Sequence, residues 1–136
     1  MSDAATAAGH AFVTGGTGFS GGRLCEVLRA RGWRVSALAR TTSHANAVAR
    51  LSGIGCTLVR GDVRDVAAWR ESLRGVDVVF HVAAAFREAR LSDAEYRDVN
   101  VGGTIALVEA AAAADVRRFV HCSTVGVHGD TGRTAA

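Results

Sequence analysis

The segment from Thr14 to Gly21, TGGTGFSG, has the composition of a phosphate-binding turn. Its glycines Gly15, Gly18 and Gly21 lie three residues apart. Glycine has no Cβ, so it permits a tight turn and lets the backbone come close to a bound group. A helix that starts at such a turn offers unpaired N–H groups and the positive end of its dipole to an anion. The segment therefore predicts a site for the phosphates of a dinucleotide.

The glycine spacing alone is a weak signal. It reads G-x-x-G-x-x-G rather than the commoner G-x-G-x-x-G, and the chain has 16 glycines in all. The context is more informative, because an apolar run, His10 to Val13, precedes the turn and an amphipathic pattern, Phe19 to Arg31, follows it. An ordinary strand-to-helix turn made of small residues remains the alternative.

The end of the next apolar run predicts which dinucleotide binds. In dinucleotide-binding folds an acidic residue about 20 positions after the glycines binds the ribose 2′-OH of NAD, whereas an arginine suits the 2′-phosphate of NADP. Here Arg40 stands in this region, and no Asp or Glu occurs between Glu26 and Asp62. The planar guanidinium fork suits a phosphate. We expect NADP, with NAD as the alternative cofactor and a solvated surface arginine as the alternative role of Arg40.

Apolar runs alternate with helical patterns along the whole chain, which predicts an α/β fold with right-handed crossovers. We expect a Rossmann-like doubly wound parallel sheet in the order 3-2-1-4-5, forming one domain over residues 1–136 and stopping after strand five. The predicted strands are His10–Thr14, Arg34–Ala39, Cys56–Val59, Val76–Val82 and Arg118–Cys122. The predicted helices are Phe19–Arg31, His44–Leu51, a helix that begins at Asp62 or Asp65, and Asp93–Ala114.

Composition excludes several other classes of protein. The apolar residues, 49% of the chain, fall in short runs, so no membrane span is expected. The net charge of +3 comes without a basic and aromatic cluster, so no nucleic-acid partner is expected. The three cysteines lack metal-ligand spacing, which predicts buried reduced thiols, no metal site and a cytoplasmic location.

Five motifs in order resemble the extended short-chain dehydrogenase/reductase superfamily, the NAD-dependent epimerase/dehydratase family. The first is the glycine segment, similar to the family's TGxxGFxG. The resemblance covers the chain from about residue 10 to residue 129. The other four motifs are Gly61-Asp-Val63, Val79-Phe-His-Val-Ala-Ala84, Asn100-Val-Gly-Gly-Thr104 and Phe119 to Gly129, FVHCSTVGVHG.

The resemblance implies a set of residues around the cofactor. The family's acid after strand three contacts the adenine, and its strand-four motif lines the cofactor. The implied cofactor-binding residues are Gly15, Thr17, Gly18, Phe19, Ser20, Gly21, Arg40, Asp62, Val63, Val82, Ala83, Ala84, Asn100 and Ser123.

The implied chemistry is hydride transfer at the nicotinamide of a bound cofactor. In the family a Ser or Thr holds the substrate oxygen, and alignment on Gly129 places Thr124 there with Ser123 beside it. The proton passes through a Tyr-x-x-x-Lys pair, which this chain lacks: it has no lysine, and its single tyrosine, Tyr96, precedes Asn100. We therefore expect the front part of a longer reductase or epimerase that acts on a sugar nucleotide or a small carbonyl or hydroxyl compound. A homodimer is left open as the assembly of the whole protein.

Other candidate residues and functions stay open. A non-catalytic module that binds NADP as a sensor or scaffold is the alternative function. Arg87 and Arg90 would suit an anionic substrate, although solvated loop arginines are equally compatible with the pattern. His81 is expected to pack beside the cofactor cleft rather than bind a metal, and His128 to face the substrate side.

Overall fold

The computed structural model describes residues 7–86 and 90–129. Its centre is one five-stranded sheet in the order β3-β2-β1-β4-β5, and every pair of neighbouring strands is parallel. The predicted doubly wound order 3-2-1-4-5 is thus confirmed. The strands are β1 His10–Thr14, β2 Arg34–Ala39, β3 Thr57–Arg60, β4 Val78–His81 and β5 Arg118–His121.

Strand β4 is shorter than the predicted Val76–Val82, for a reason visible at both of its ends. Before the strand, the Asp77 amide donates to the His10 carbonyl at 2.8 Å, and the Asp77 carboxylate accepts from the His10 amide at 2.8 Å. After it, the amides of Val82 and Ala83 donate to the Thr14 hydroxyl at 3.2 and 3.1 Å. The side chains of Asp77 and Thr14 thus add to the backbone bonds where the ladder with β1 ends.

The helices connect the strands on both faces of the sheet. Helix α1 ends one residue before the predicted Arg31. Helix α2 begins one residue after the predicted start and ends two residues after the predicted end. The predicted third helix ends in a 3₁₀ turn at Arg70–Leu73. The α-helices are α1 Phe19–Ala30, α2 Ala45–Gly53, α3 Val66–Trp69, α4 Asp93–Arg97 and α5 Gly103–Ala113.

The predicted long helix Asp93–Ala114 is interrupted by a π turn at Asp98–Gly102. Its start is a capping box, in which the Ser92 hydroxyl and the Glu95 carboxylate each accept from the other residue's amide. At the π turn the Asn100 carbonyl accepts from the Thr104 hydroxyl at 2.8 Å. Such turns widen a helix locally and often occur at functional sites.

Two hydrophobic clusters hold the layers together, one on each face of the sheet. One face buries Phe12, Trp69, Leu73 and Leu107, which packs α3 and α5 on the sheet. The opposite face buries a second set under α1 and α2: Ala11, Val13, Cys25, Leu28, Val35, Ala37, Leu51, Cys56 and Val78. Both faces are covered, as expected for parallel strands that are apolar on both sides.

Strand β5 lies at the edge of the sheet and is largely exposed. Val120 is 40% exposed there, and the 3₁₀ turn Val125–His128 that follows leaves Val125 and Val127 exposed. In the two described ranges, no helix is both long and apolar enough to cross a lipid bilayer.

Candidate functional site

A cleft of about 410 Å³ opens at the carboxyl ends of β1, β2, β3 and β4. Strand β1 is the point at which the strand order reverses, since its neighbours β2 and β4 lie on opposite sides. In open α/β sheets, ligands bind in the crevice at this switch point. The lining residues are Gly15, Thr17, Gly18, Phe19, Ser20, Gly21, Leu38, Arg40, Ser43, Gly61, Asp62, Val63, Arg64, Val82, Ala83, Ala84, Ala85, Leu91 and Val99.

The glycine turn can take its shape only with glycine at two positions. Gly15 has φ +75°, and a Cβ there would come within 2.7 Å of the Ala83 nitrogen. A Cβ on Gly21 would overlap the Gly15 carbonyl oxygen, so α1 packs directly on the turn. The Gly18 amide closes the turn by donating to the same carbonyl at 3.0 Å. The turn therefore presents bare backbone to the cleft.

The start of α1 is suited to an anion. Gly18 precedes the helix and supplies no capping side chain, and the first turn carries no acidic residue. The first intrahelical bond of α1 is donated by Gly22 to the Gly18 carbonyl at 2.9 Å, so the earlier amides of α1 have no intrahelical acceptor. Unpaired amides and the positive end of the helix dipole together fit a phosphate group.

Arg40 also lines the cleft, one residue after β2, the strand that pairs with β1. Its side chain is exposed, and within the described residues it forms no ion pair of its own. The Ser43 amide donates to the Arg40 carbonyl at 3.1 Å, which forms a turn that brings Ser43 onto the cleft. An exposed guanidinium beside a hydroxyl is well placed for a phosphate on the rim.

Asp62 lines the cleft, but its carboxylate is already engaged by Arg64. The Arg64 side chain donates to Oδ1 at 2.8 Å and to Oδ2 at 3.1 Å, and its backbone amide donates to Oδ1 at 3.0 Å. These hydrogen bonds from Arg64 hold the pKa of Asp62 below its usual value, against the opposing effect of burial. Arg64 also reaches Asp98 on the π turn at 3.4 Å.

The wall that packs against the glycine turn is formed by residues 82–85, and its side chains are all apolar. Asn100 holds this wall from behind: its Oδ1 accepts from the Ala85 amide at 2.7 Å and its Nδ2 donates to the Ala85 carbonyl at 3.1 Å. The structure thus brings Asn100 to the back of the wall and not onto the cleft surface.

The two hydroxyl residues expected near the reacting atoms follow β5. Ser123 and Thr124 are exposed, and neither lines the cleft in the described part of the chain. Thr124 accepts a hydrogen bond from the Gly126 amide at 3.3 Å, which caps the 3₁₀ turn. Their expected roles stay predictions.

Most of the cofactor residues expected from the motifs line one cleft: the turn residues from Gly15 and Thr17 to Gly21, with Arg40, Asp62, Val63 and residues 82–84. Sequence reasoning missed other lining residues, including Arg64, Leu91 and Val99. Leu91 lies just before α4 and Val99 lies in the π turn. Nothing in the local pattern of these three residues indicates that they reach the cleft.

Several minor expectations have mixed outcomes. His81 lies buried beside the cleft wall, as expected, while His128 and Arg90 are exposed. Arg87 lies outside the described residues.

Cys25 and Cys56 are buried free thiols, and burial raises the pKa of Cys25 to about 12. The expectation of a buried thiol is wrong for Cys122, which is exposed because it follows the edge strand.

The sheet order, the glycine turn at the switch point and the cleft define a Rossmann-like dinucleotide-binding protein. Residues 11–135 match the model of the NAD dependent epimerase/dehydratase family. The chain belongs to this family.

Similar proteins include a ketoreductase and two epimerases. The 4-hydroxy-2-methyl-3-oxo-4-farnesyl-3,4-dihydroquinoline-1-oxide ketoreductase of Stigmatella aurantiaca is 40% identical over 119 residues, which are 88% of this chain and 34% of that protein. A UDP-glucose 4-epimerase of Klebsiella pneumoniae is 36% identical over 87% of this chain and 91% of its own length. A UDP-glucose-4-epimerase structure from Stenotrophomonas maltophila, with bound NAD and formylated UDP-arabinopyranose, superposes with a TM-score of 0.80 at 28% identity, covering 94% of this chain and 40% of that one. The chain spans about a third of the length of most curated relatives that it matches.

Proposed function

We propose that this chain is the NADP(H)-binding part of a reductase or epimerase that works by hydride transfer. The observation that carries the proposal is that one cleft is lined both by the bare glycine turn with the start of α1 and by the exposed Arg40. The turn and the start of α1 would bind the pyrophosphate, and Arg40 the 2′-phosphate. Family membership and the NAD bound in the epimerase structure from Stenotrophomonas maltophila support a nicotinamide dinucleotide.

The remaining residues complete the proposed cofactor site. Asp62 and Val63 would lie beside the adenine, and the wall at Val82, Ala83 and Ala84 would lie along the cofactor toward its nicotinamide. Asn100 would act through the wall that it holds. When bound, the cofactor supplies the hydride or accepts it.

The substrate side of the proposal rests on two hydroxyl groups. Thr124, with Ser123 beside it, would donate a hydrogen bond to the oxygen on which negative charge develops. The substrate class is a sugar nucleotide or a small carbonyl or hydroxyl compound, as the names of the relatives suggest. A preference for NADP favours net reduction of the substrate over epimerisation.

We also propose a cytoplasmic location for the protein and a homodimer as the assembly of the whole protein. The exposed Ile105 and Val108 on α5 support the homodimer.

A non-catalytic NADP-binding module is the second candidate. The chain has no lysine, and its only tyrosine, Tyr96, lies on α4 and not after Thr124. The family's proton-transferring pair therefore cannot form within these residues. This candidate has the same cofactor site as the proposed reductase or epimerase. The two differ only in whether the whole protein turns over a substrate.

A charge placed at the start of α1 tests the cofactor site without harming the fold. Ser20 is exposed, lies in the first turn of α1 and lines the cleft. For Ser20→Asp we expect NADPH binding to weaken by about tenfold or more, because the carboxylate repels the pyrophosphate. The same change should leave the melting temperature unchanged or raise it, since an acid at a helix start contributes about 0.3–1 kcal/mol.

The matched control is Ser20→Asn, because the asparagine side chain has nearly the same shape as aspartate but carries no charge. We expect it to bind NADPH within a few-fold of the wild type. Equal NADPH affinity in the wild type and in Ser20→Asp, measured by fluorescence titration, would refute the proposed phosphate site.

A further inference from the structure

His81 lies at the centre of a buried chain of hydrogen bonds behind the cleft wall. The side chain is 1% exposed. Its Nδ1 lies 2.7 Å from the Thr14 hydroxyl at the end of β1, and its Nε2 lies 2.7 Å from the Thr104 hydroxyl on α5. The ring therefore joins three elements, β1, β4 and α5.

The neighbours of the ring determine where its proton sits. The Thr104 hydroxyl donates to the Asn100 carbonyl at 2.8 Å, so toward His81 it can only accept, and Nε2 must carry the proton. The Thr14 hydroxyl accepts from the amides of Val82 and Ala83, so its own proton points to Nδ1. A neutral ring protonated at Nε2 satisfies every partner. Burial, followed by the nearby His121, lowers the pKa of His81 to about 4, in agreement with a neutral ring.

This chain of hydrogen bonds ends at the wall formed by residues 82–85, which packs against the glycine turn. Two wall amides, those of Val82 and Ala83, already donate to the Thr14 hydroxyl. The wall side chains there are valine and alanine, which can contact a ligand only through apolar surface. A Cβ on Gly15 would come within 2.7 Å of the Ala83 nitrogen, so a shift of the wall would also move the phosphate-binding turn.

We propose that His81, as the neutral Nε2–H tautomer, is a positioning residue for the cofactor: it ties the wall at residues 82–85 to β1 and to the helix behind it. This fixes the distance between the wall and the glycine turn before the cofactor binds. The inference rests on the proposed function, in that it takes NADP(H) as the occupant of the cleft.

Thr104 allows a test without altering the cleft surface, because it is not among the lining residues. Thr104→Val keeps the shape and removes the hydroxyl that accepts from Nε2. We expect it to weaken NADPH binding about tenfold, comparable to one net hydrogen bond. Thr104→Ser restores the hydroxyl and should bind NADPH as the wild type does. Equal affinity in all three folded proteins overturns the role of His81.

A second measurement reads the tautomer directly. In the cofactor-free chain at pH 7, nitrogen NMR of labelled histidine should show His81 protonated at Nε2 alone, and Thr104→Val should shift this signal. A ring protonated at Nδ1, or at both nitrogens, contradicts the proposal. If the wild type does not bind NADPH at all, the proposed function fails and this role of His81 with it. If the wild type binds but Thr104→Val binds equally well, only the role of His81 fails.

Discussion

Gly15 and Ala83 pack so closely that the turn after β1 and the wall after β4 are in direct backbone contact. A Cβ on Gly15 would come within 2.7 Å of the Ala83 nitrogen and 3.0 Å of its Cα. Residues 68 positions apart in sequence thus meet at the cleft. The contact couples the glycine turn directly to the segment that follows β4.

Replacing Gly15 with alanine should disrupt both folding and binding. The side chain would be strained at φ +75° and would also collide with the wall. We expect a loss of about 2–5 kcal/mol in the free energy of unfolding, from backbone strain and overpacking together. Urea denaturation measures it.

Gly32 provides the matched control for this substitution. It has nearly the same φ, +79°, but a Cβ there would meet nothing within 4 Å. Gly32→Ala should cost only about 1–2 kcal/mol, from the backbone alone. An equal loss of unfolding free energy in Gly15→Ala and Gly32→Ala would show that the collision with the wall adds nothing to the effect of Gly15→Ala.

The stability of the chain should fall as the pH drops from 6.5 to 4. Folding lowers the pKa of His81 from 6.5 to about 4, mainly through burial, so in this window the unfolded chain binds the extra proton. The loss from His81 should reach about 3 kcal/mol by pH 4 and then level off. The pKa of His10 is also lowered, by burial and by Arg34, and acts in the same direction.

The pH dependence can be assigned to His81 by mutation. We expect the slope of unfolding free energy against pH to flatten between pH 6.5 and 4 in His81→Gln. Asp62 and Asp77 contribute at lower pH, because their pKa values lie below the ordinary value of 3.8. A slope in His81→Gln equal to that of the wild type would disprove the assignment.

Much of this architecture follows from the pattern of residues. The alternation of apolar runs and helical stretches predicted every strand to within two residues and the order of the sheet. Three motifs predicted most of the cleft lining because they lie at the carboxyl ends of β1, β3 and β4, and those ends meet at one edge of the sheet. The prediction of one unbroken long helix was wrong, because a π turn interrupts it where the Asn100 side chain binds the Ala85 backbone. The role of Asn100 toward the cofactor stays a prediction.

The side-chain pairings could not be predicted in the same way. Asp62 was expected to contact the adenine, and nothing in the sequence indicated that Arg64 would engage both of its oxygens. This pairing depends on the bend of the chain after β3, which residue types alone do not specify. Likewise, the two threonines that flank His81 are 90 positions apart in sequence.

The exposed edge of β5 should make this chain self-associate. Val120 is 40% exposed there, and an unpaired apolar edge is prone to pairing with another strand. Size-exclusion chromatography should show oligomers whose population falls in Val120→Lys, because a charge on an edge strand opposes such pairing. A sharply melting monomer at all concentrations would count against this expectation.

These residues alone should bind the cofactor without turning it over. The Tyr-x-x-x-Lys pair of the family is absent, and Thr124 cannot replace its proton transfer. NADPH absorbance should stay constant with UDP-sugars and small ketones, in samples where binding of NADPH is measured in parallel. Rapid oxidation of NADPH by the chain would mean that another residue transfers the proton.

The central claim is tested most directly by comparing the affinities of NADP and NAD in calorimetric titrations. The wild type should bind NADP about tenfold or more tightly than NAD, as expected for one charged hydrogen-bonding contact with Arg40. Arg40→Gln should abolish this preference, while Arg31→Gln, which removes an exposed arginine that does not line the cleft, should preserve it. NAD binding as tightly as NADP to the wild type would contradict the account.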